Sequence, residues 1–159
     1  VEGEGQIISV TSHPIQTTAT RALFLNHEGL HGMFYNEPEM RSLSTRLWDE
    51  MPADMREFLE YYFVYMGYDP ADTYLMINEF QAYMLQQDVV NLRWYVGQRM
   101  ADRINGRFPE LASFINPRRE QAGWVALESG EALQSFIYQN RGLLAGDLFC
   151  LIDWPDEES

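Results

Sequence analysis

The sequence predicts a domain of the α+β class that is mainly α-helical, with one short strand before the first helix. Most of the 159 residues fall into segments whose apolar residues recur at helical spacing and which end at proline or glycine. One short stretch, Gln6 to Thr11, is rich in β-branched residues and is the best strand candidate. Because no repeat, low-complexity tract or linker interrupts the chain, we expect residues 1–159 to form a single domain.

The order of the elements follows from the positions of these breaks. The strand ends at Ser12-His13-Pro14, and a helix then runs from about residue 16 to about residue 35, before Asn36-Glu37-Pro38. A short helical turn is expected over 111–116, and residues 143–153 fit either a strand or a helix. The acidic tail from Trp154 to Ser159 is expected to fray. The other expected helices cover residues 39–50, 53–66, 71–88, 91–105 and 130–140.

Charge and cysteine content exclude several classes of partner. The net charge of −13 combines 24 acidic residues with 11 arginines and no lysine, so the chain would repel nucleic acid and anionic membranes. No apolar run reaches the ~18 residues that a membrane span needs. Cys150 is the single cysteine, so no internal disulfide can form, and we expect a buried small hydrophobic residue there.

The N-terminus indicates a processed or excised chain. Val1 to Gly5 reads as a loop, with neither an initiating Met nor a signal peptide before it. We therefore expect the mature or excised C-terminal part of a longer protein. The sequence leaves the oligomeric state and the compartment open, and an extracytoplasmic location (secreted or periplasmic) is preferred.

Residues 27 to 31 read His-Glu-Gly-Leu-His, the pattern HExxH. On a helix, residues four apart lie on one face, so His27 and His31 can bind one metal ion from adjacent turns. Glu28 projects beside them, where a carboxylate can accept a proton from a water that the metal activates. With three histidines in the chain, a shuffled sequence would contain this pattern with a probability of roughly 0.5%.

A catalytic zinc usually has three protein ligands, and the third is not in the motif. His13 lies in a loop beside a proline and is expected to be a surface residue. Glu37 comes six residues after His31, but reaching the metal from there needs a glycine-type turn where the chain has Phe34. Glu79, on the helix expected over 71–88, is the better candidate.

HExxH followed by Asn78-Glu79-Phe80-Gln81-Ala82, an Asn-Glu-x-x-Ala segment, resembles the gluzincin clan of zinc metallopeptidases. The resemblance covers these two segments and their separation. It implies a zincin-like fold, zinc on His27, His31 and Glu79, and Glu28 as catalytic base. Tyr83 stands where thermolysin-like members have an aspartate that orients a ligand histidine, so that partner must come from elsewhere. The candidates for it are Asp69, Asp72 and Asp88.

The resemblance implies a zinc-dependent peptidase that acts on a peptide or protein, and we favour an endopeptidase. Gln6 to Val10 either binds the substrate backbone as an edge strand or packs on the core. The developing oxyanion needs a donor, for which we name Tyr74. The alternative donors are Tyr68, Tyr65 and His13. The alternative function is a non-catalytic zinc- or peptide-binding domain derived from a metallopeptidase.

Overall fold

Helices form the regular structure of residues 18–146, the part of the chain that the computed structural model describes. The first two are joined by a single residue, Glu37, and the second and third by a two-residue break at Met51-Pro52. The third ends at Gly67, whose φ of +96° lets its N–H bond back to Phe63 and Val64. The fourth begins after Asp72, which caps it by accepting a hydrogen bond from the backbone N–H of Leu75. These helices are α1 (Thr18–Asn36), α2 (Pro38–Glu50), α3 (Ala53–Met66) and α4 (Thr73–Leu85).

The fifth helix, α5, spans residues 89–107 and changes its hydrogen-bonding pattern along its length. It opens with a 3₁₀ turn at Val89–Asn91 and a short α-helical piece at Leu92–Trp94. It then widens into a π-helix over Tyr95–Met100 and returns to α-helix over Ala101–Arg107. Because π segments are rare and often occur at functional sites, the π segment indicates that α5 contributes to a functional site.

The last long helix, α6 (Arg119–Arg141), packs along α5. The two approach closely at glycines: a Cβ on Gly97 would lie 2.6 Å from the Arg119 carbonyl oxygen, and one on Gly123 would lie 2.6 Å from the Arg93 carbonyl oxygen. Both positions therefore exclude a side chain. The connection between the two helices consists of three short turns at Pro109–Leu111, Ala112–Ile115 and Asn116–Arg118.

Helix α4 lies at the centre of the described chain and contacts α1, α2, α3 and α6. All its side chains from residue 79 to residue 85 are buried. A helix that is buried on every side is normally apolar, and a buried polar group needs a partner. Glu79 and Gln81 are the exceptions on α4, and both face α1, where the HExxH motif lies.

The prediction of a mainly helical chain is confirmed. Residues 18–146 contain no strand, so the α+β class and the zincin-like fold are not confirmed. The proposed edge strand at Gln6 to Val10 lies outside the described residues, as do His13, Cys150 and the acidic tail. Within residues 18–146, no helix is long and apolar enough to cross a membrane.

The last helix was predicted to begin near residue 130, but it begins at Arg119. In the sequence, Pro117 follows the short turn predicted over 111–116, and no helix was predicted between it and residue 130. In the structure Pro117 ends up in a short turn just before α6, and Gly123 is inside the helix because α5 passes there. The helix predicted over 91–105 is also extended at both ends, and its π segment was not predicted.

Candidate metal centre

Helices α1 and α4 bring two imidazoles and one carboxylate together. His27 Nε2 lies 3.3 Å from Glu79 Oε2, and His31 Nε2 lies 3.5 Å from Glu79 Oε1. The site is mostly buried, since His27 is 7% exposed and Glu79 is 4% exposed. The structure thus brings the three predicted metal ligands, separated by 48 residues in the sequence, to one point.

The other ring nitrogen of His31 is held by Asn78, whose Oδ1 lies 2.9 Å from Nδ1. The Gln81 side-chain nitrogen donates to the backbone carbonyl oxygens of Leu30 and Asn78. It also lies 3.3 Å from the same Asn78 side-chain atom, so that atom must be the acceptor oxygen, Oδ1. Since Asn78 Oδ1 accepts, His31 Nδ1 carries the proton. Its Nε2 therefore presents a lone pair to Glu79.

The same logic applies to His27 and Gln86. Gln86 Nε2 donates to the Tyr95 hydroxyl at 3.3 Å, so its Oε1 faces His27 Nδ1 at 3.0 Å and accepts from it. His27 Nε2 is then the free nitrogen, as it is in His31. Partners of this kind, which fix the tautomer of a histidine through its second nitrogen, are typical of metal-binding histidines.

The lone pairs of the two histidines face the negative Glu79 carboxylate. This buried arrangement needs a positive charge between the groups, which either a metal ion or protons on the imidazoles can supply. Glu79 Oε2 is buried and receives no hydrogen bond from the described residues. In a tetrahedral zinc site with bonds of about 2.0–2.1 Å, neighbouring ligand atoms are about 3.3–3.4 Å apart. The observed 3.3 and 3.5 Å, each to a different oxygen of Glu79, are close to that spacing, so the residues fit a divalent metal ion.

Glu28 is a second carboxylate beside the two imidazoles. Its ligand atom and those of His27 and His31 all lie within 4.8 Å of one another, a grouping that could hold a metal ion. Glu28 is more exposed than Glu79 and lines an open cavity. Glu79 is closer to both histidines and more deeply buried, whereas Glu28 faces the cavity.

The cavity beside Glu28 has a volume of about 410 Å³ and opens between α1, α3, α4 and α5. His27 and Glu28 line one part of it. Its volume lies in the range of about 300–1,000 Å³ that is usual for small-ligand sites. The rest of its lining includes four tyrosines and two arginines: Tyr62, Tyr68, Tyr83, Tyr95, Arg99 and Arg103.

Two tyrosines lie beside His27 and Glu79: Tyr83, whose ring centroid is 4.9 Å from that of His27, and Tyr68. Burial raises the pKa of the Tyr68 phenol, and the negative charge of Glu79 raises it further. Tyr68 therefore stays protonated at neutral pH and can donate a hydrogen bond. Tyr74, the donor named from the sequence, is 56% exposed, packs edge-to-face against Phe34 and lines a different cavity, so the structure does not bring it to the site.

The competing ligand and the expected histidine partners have other roles. Glu37 forms an ion pair with Arg141, with 2.7 Å between the carboxylate oxygen and the guanidinium nitrogen. The side chains of Asp69, Asp72 and Asp88 all accept hydrogen bonds from backbone N–H groups two or three residues further along the chain. None of the three aspartates orients a histidine.

Sequence reasoning missed Asn78 and Gln86 as histidine partners. A signal was present: Glu79, Tyr83 and Gln86 are spaced by four and three residues, which places them on one face of a helix. It also missed Arg99 and Arg103, which follow Tyr95 at intervals of four residues. In both sets, polar residues recur at helical spacing, a pattern that is usually examined for apolar residues only.

Comparison of the chain with family models, curated proteins and solved structures finds no match in any of the three. The class of this protein is therefore described from its fold and its site. The described chain is mainly helical, and its His27, Glu28 and His31 form a group that could bind a metal ion.

Proposed function

We propose that this protein is a zinc-dependent peptidase in which His27, His31 and Glu79 hold the metal and Glu28 is the general base. One observation carries the proposal. A buried carboxylate from a separate helix faces the free nitrogens of both motif histidines at the spacing of zinc ligands. A coincidental HExxH would have no reason to face such a group.

The donor set supports zinc over Mg²⁺ and Ca²⁺. Two imidazoles and a carboxylate suit zinc, whereas Mg²⁺ and Ca²⁺ prefer oxygen ligands alone. Three protein ligands also leave one coordination position for a reactant. When bound, zinc would lower the pKa of a water nucleophile and polarise the carbonyl group under attack.

The chain's own residues divide the remaining work. Glu28, exposed to the cavity, accepts a proton from the attacking water and returns it to the leaving amine. Tyr68 donates a hydrogen bond to the oxyanion that develops on the carbonyl. Asn78 and Gln86 keep the free nitrogens of the histidines directed at the metal.

The first test is the zinc content of the purified full chain, measured by elemental mass spectrometry. We expect about one zinc per chain, because three preorganised ligands match its preferred geometry. Glu79→Gln, which keeps the size but removes the charge, should lose most of the zinc. Glu131→Gln, at an exposed position on α6, is the matched control and should retain it.

Catalysis is tested with the Glu28→Gln variant and a library of internally quenched fluorescent peptides. We expect Glu28→Gln to keep its zinc and to lose hydrolysis by a factor of about 10² or more, since a general base contributes about 10²–10⁴-fold. Equal hydrolysis by both proteins would rule out the peptidase role of Glu28. Zinc binding without hydrolysis in the unsubstituted chain would favour the non-catalytic zinc- or peptide-binding domain.

A further inference from the structure

We propose that Arg99 and Arg103 bind a carboxylate group of the peptide substrate in the cavity beside Glu28. This inference rests on the proposed peptidase function and specifies the substrate class. It concerns a part of the cavity that neither HExxH nor Glu79 occupies.

The first support is placement. Tyr95, Arg99 and Arg103 follow one another at intervals of four residues, and all three line the cavity that His27 and Glu28 also line. The first two lie in the π segment of α5, and Arg103 lies one turn beyond it. Both guanidinium groups thus belong to the same cavity as the proposed general base.

The second support is charge. The chain has 24 acidic residues against 11 arginines, and four other arginines form ion pairs with carboxylates. Arg99 and Arg103 form no ion pair with any carboxylate of the described residues. Among residues 18–146, Glu28 is the single acidic residue that lines their cavity. An excess of positive charge at this point, in so acidic a chain, indicates an anionic ligand.

The third support is rigidity. Arg103 Nη1 donates to the Tyr62 hydroxyl at 2.9 Å, and that hydroxyl lies 3.4 Å from the Tyr95 hydroxyl. Tyr95 accepts from Gln86, which holds His27. A continuous set of hydrogen bonds thus ties Arg103 to a metal ligand. A carboxylate bound by the arginines would be held at a fixed distance from the scissile bond.

Arginine suits this task because its planar guanidinium can bind a carboxylate through two parallel hydrogen bonds. Arg99 is exposed and has its donors available, and Arg103 has donors left after the bond to Tyr62. The carboxylate could be the C-terminus of the peptide, which would make the enzyme an exopeptidase, or the side chain of an Asp or Glu residue. The two sources share one chemistry and are separated by experiment.

The test measures binding to the full chain carrying Glu28→Gln, which prevents turnover and leaves the arginines intact. Three sets of N-acetylated hexapeptides are used: neutral peptides with a free C-terminus, the same peptides amidated, and amidated peptides that contain one glutamate. Binding is measured by calorimetry in the Glu28→Gln background and after adding Arg99→Gln, Arg103→Lys or Arg107→Gln. Arg107, exposed on α5 and outside the cavity, is the matched control.

We expect free-acid or glutamate-containing peptides to bind about tenfold or more tightly than neutral amides, as for a charge-assisted hydrogen bond. Arg99→Gln should abolish this preference, while Arg107→Gln should preserve it. Arg103→Lys keeps the positive charge and should retain part of the preference for carboxylate-containing peptides. A preference for the free acid identifies the C-terminus, and a preference for the glutamate identifies a side chain.

Equal binding of acids and amides, no binding of any set, or a preference that survives Arg99→Gln would overturn the inference. The zinc measurement separates this failure from failure of the proposed function. Zinc-loaded protein that hydrolyses peptides without a carboxylate preference would leave the peptidase standing. A preference that depends on Arg99 in a chain that binds no zinc would leave only the carboxylate site.

Discussion

At the scale of single residues, two side-chain amides decide what the histidines can do. Asn78 and Gln86 accept from Nδ1 of His31 and His27, which leaves both Nε2 atoms free to face Glu79. The resemblance to thermolysin-like proteins predicts an aspartate in this role. Which polar residue faces a histidine depends on the rotation of α4 against α1, and that rotation is set by packing across the whole helix.

The amide partners give a prediction about metal affinity. Asn78→Ala removes the acceptor for His31, and we expect the affinity for zinc to fall by about 10–100-fold, the usual effect of losing such a partner. Asn78→Asp keeps an acceptor oxygen at the same place and should retain the affinity. Competition with a chromophoric zinc chelator measures both. Equal affinities for Asn78→Ala and the unsubstituted chain would show that Asn78 does not position the ligand.

At the scale of helices, prediction succeeded where ends carry local signals and failed where packing decides. The break at Met51-Pro52 and the left-handed Gly67 marked the ends of α2 and α3, which match the predicted 39–50 and 53–66 closely. The start of α6 was predicted 11 residues too late, or about three turns, and the missed part of the helix contains Gly123. In the structure it lets the backbone of α5 approach, a long-range contact that no local pattern reveals.

The close approach of α5 and α6 predicts opposite effects for two glycine-to-alanine substitutions on α5. Gly97→Ala would place a methyl group 2.6 Å from a backbone oxygen of Arg119, and we expect a loss of about 1–3 kcal/mol in unfolding free energy. Gly106 has nothing within 4 Å of an added Cβ, so Gly106→Ala should stabilise by up to about 1 kcal/mol.

Urea denaturation of both variants measures these free energies. Similar stabilities for Gly97→Ala and Gly106→Ala would contradict the close contact. Because the π segment that contains Gly97 also carries Arg99, a shift of that segment would alter carboxylate binding as well as stability.

At the scale of the whole molecule, the composition is unusual in having nine tyrosines and no lysine. Tyr62 and Tyr95 are buried side by side, and burial is the largest cause that raises the pKa of each phenol. In the unfolded chain the same phenols would lose their protons near pH 10. At alkaline pH the folded chain therefore holds more protons than the unfolded one.

This difference predicts the direction of the alkaline pH dependence. Below about pH 10 these phenols are protonated in both the folded and the unfolded chain, so their effect on the unfolding free energy does not change with pH. Above about pH 10 they ionise first in the unfolded chain, which lowers the unfolding free energy as the pH rises. With no lysine in the chain and arginines charged throughout, the fall can be assigned mainly to tyrosines.

Denaturation curves between about pH 8 and about pH 11, with tyrosinate absorbance recorded in parallel, test this prediction. Tyr62→Phe removes one of the two phenols and should reduce the loss of stability with pH. Tyr138→Phe, at an exposed position, is the control and should leave the slope unchanged. Constant stability across this range would contradict it.

The sequence by itself determined the helical character of the chain, the ends of its capped helices, and the pair of histidines with Glu28 beside them. These features follow from local periodicity and from contacts within one helix. Tertiary structure alone decided that Glu79 faces both histidines, that Tyr68 rather than Tyr74 stands beside it, and that two arginines share the cavity. Each of these depends on how separate helices pack, and packing is set by the shape of the whole core.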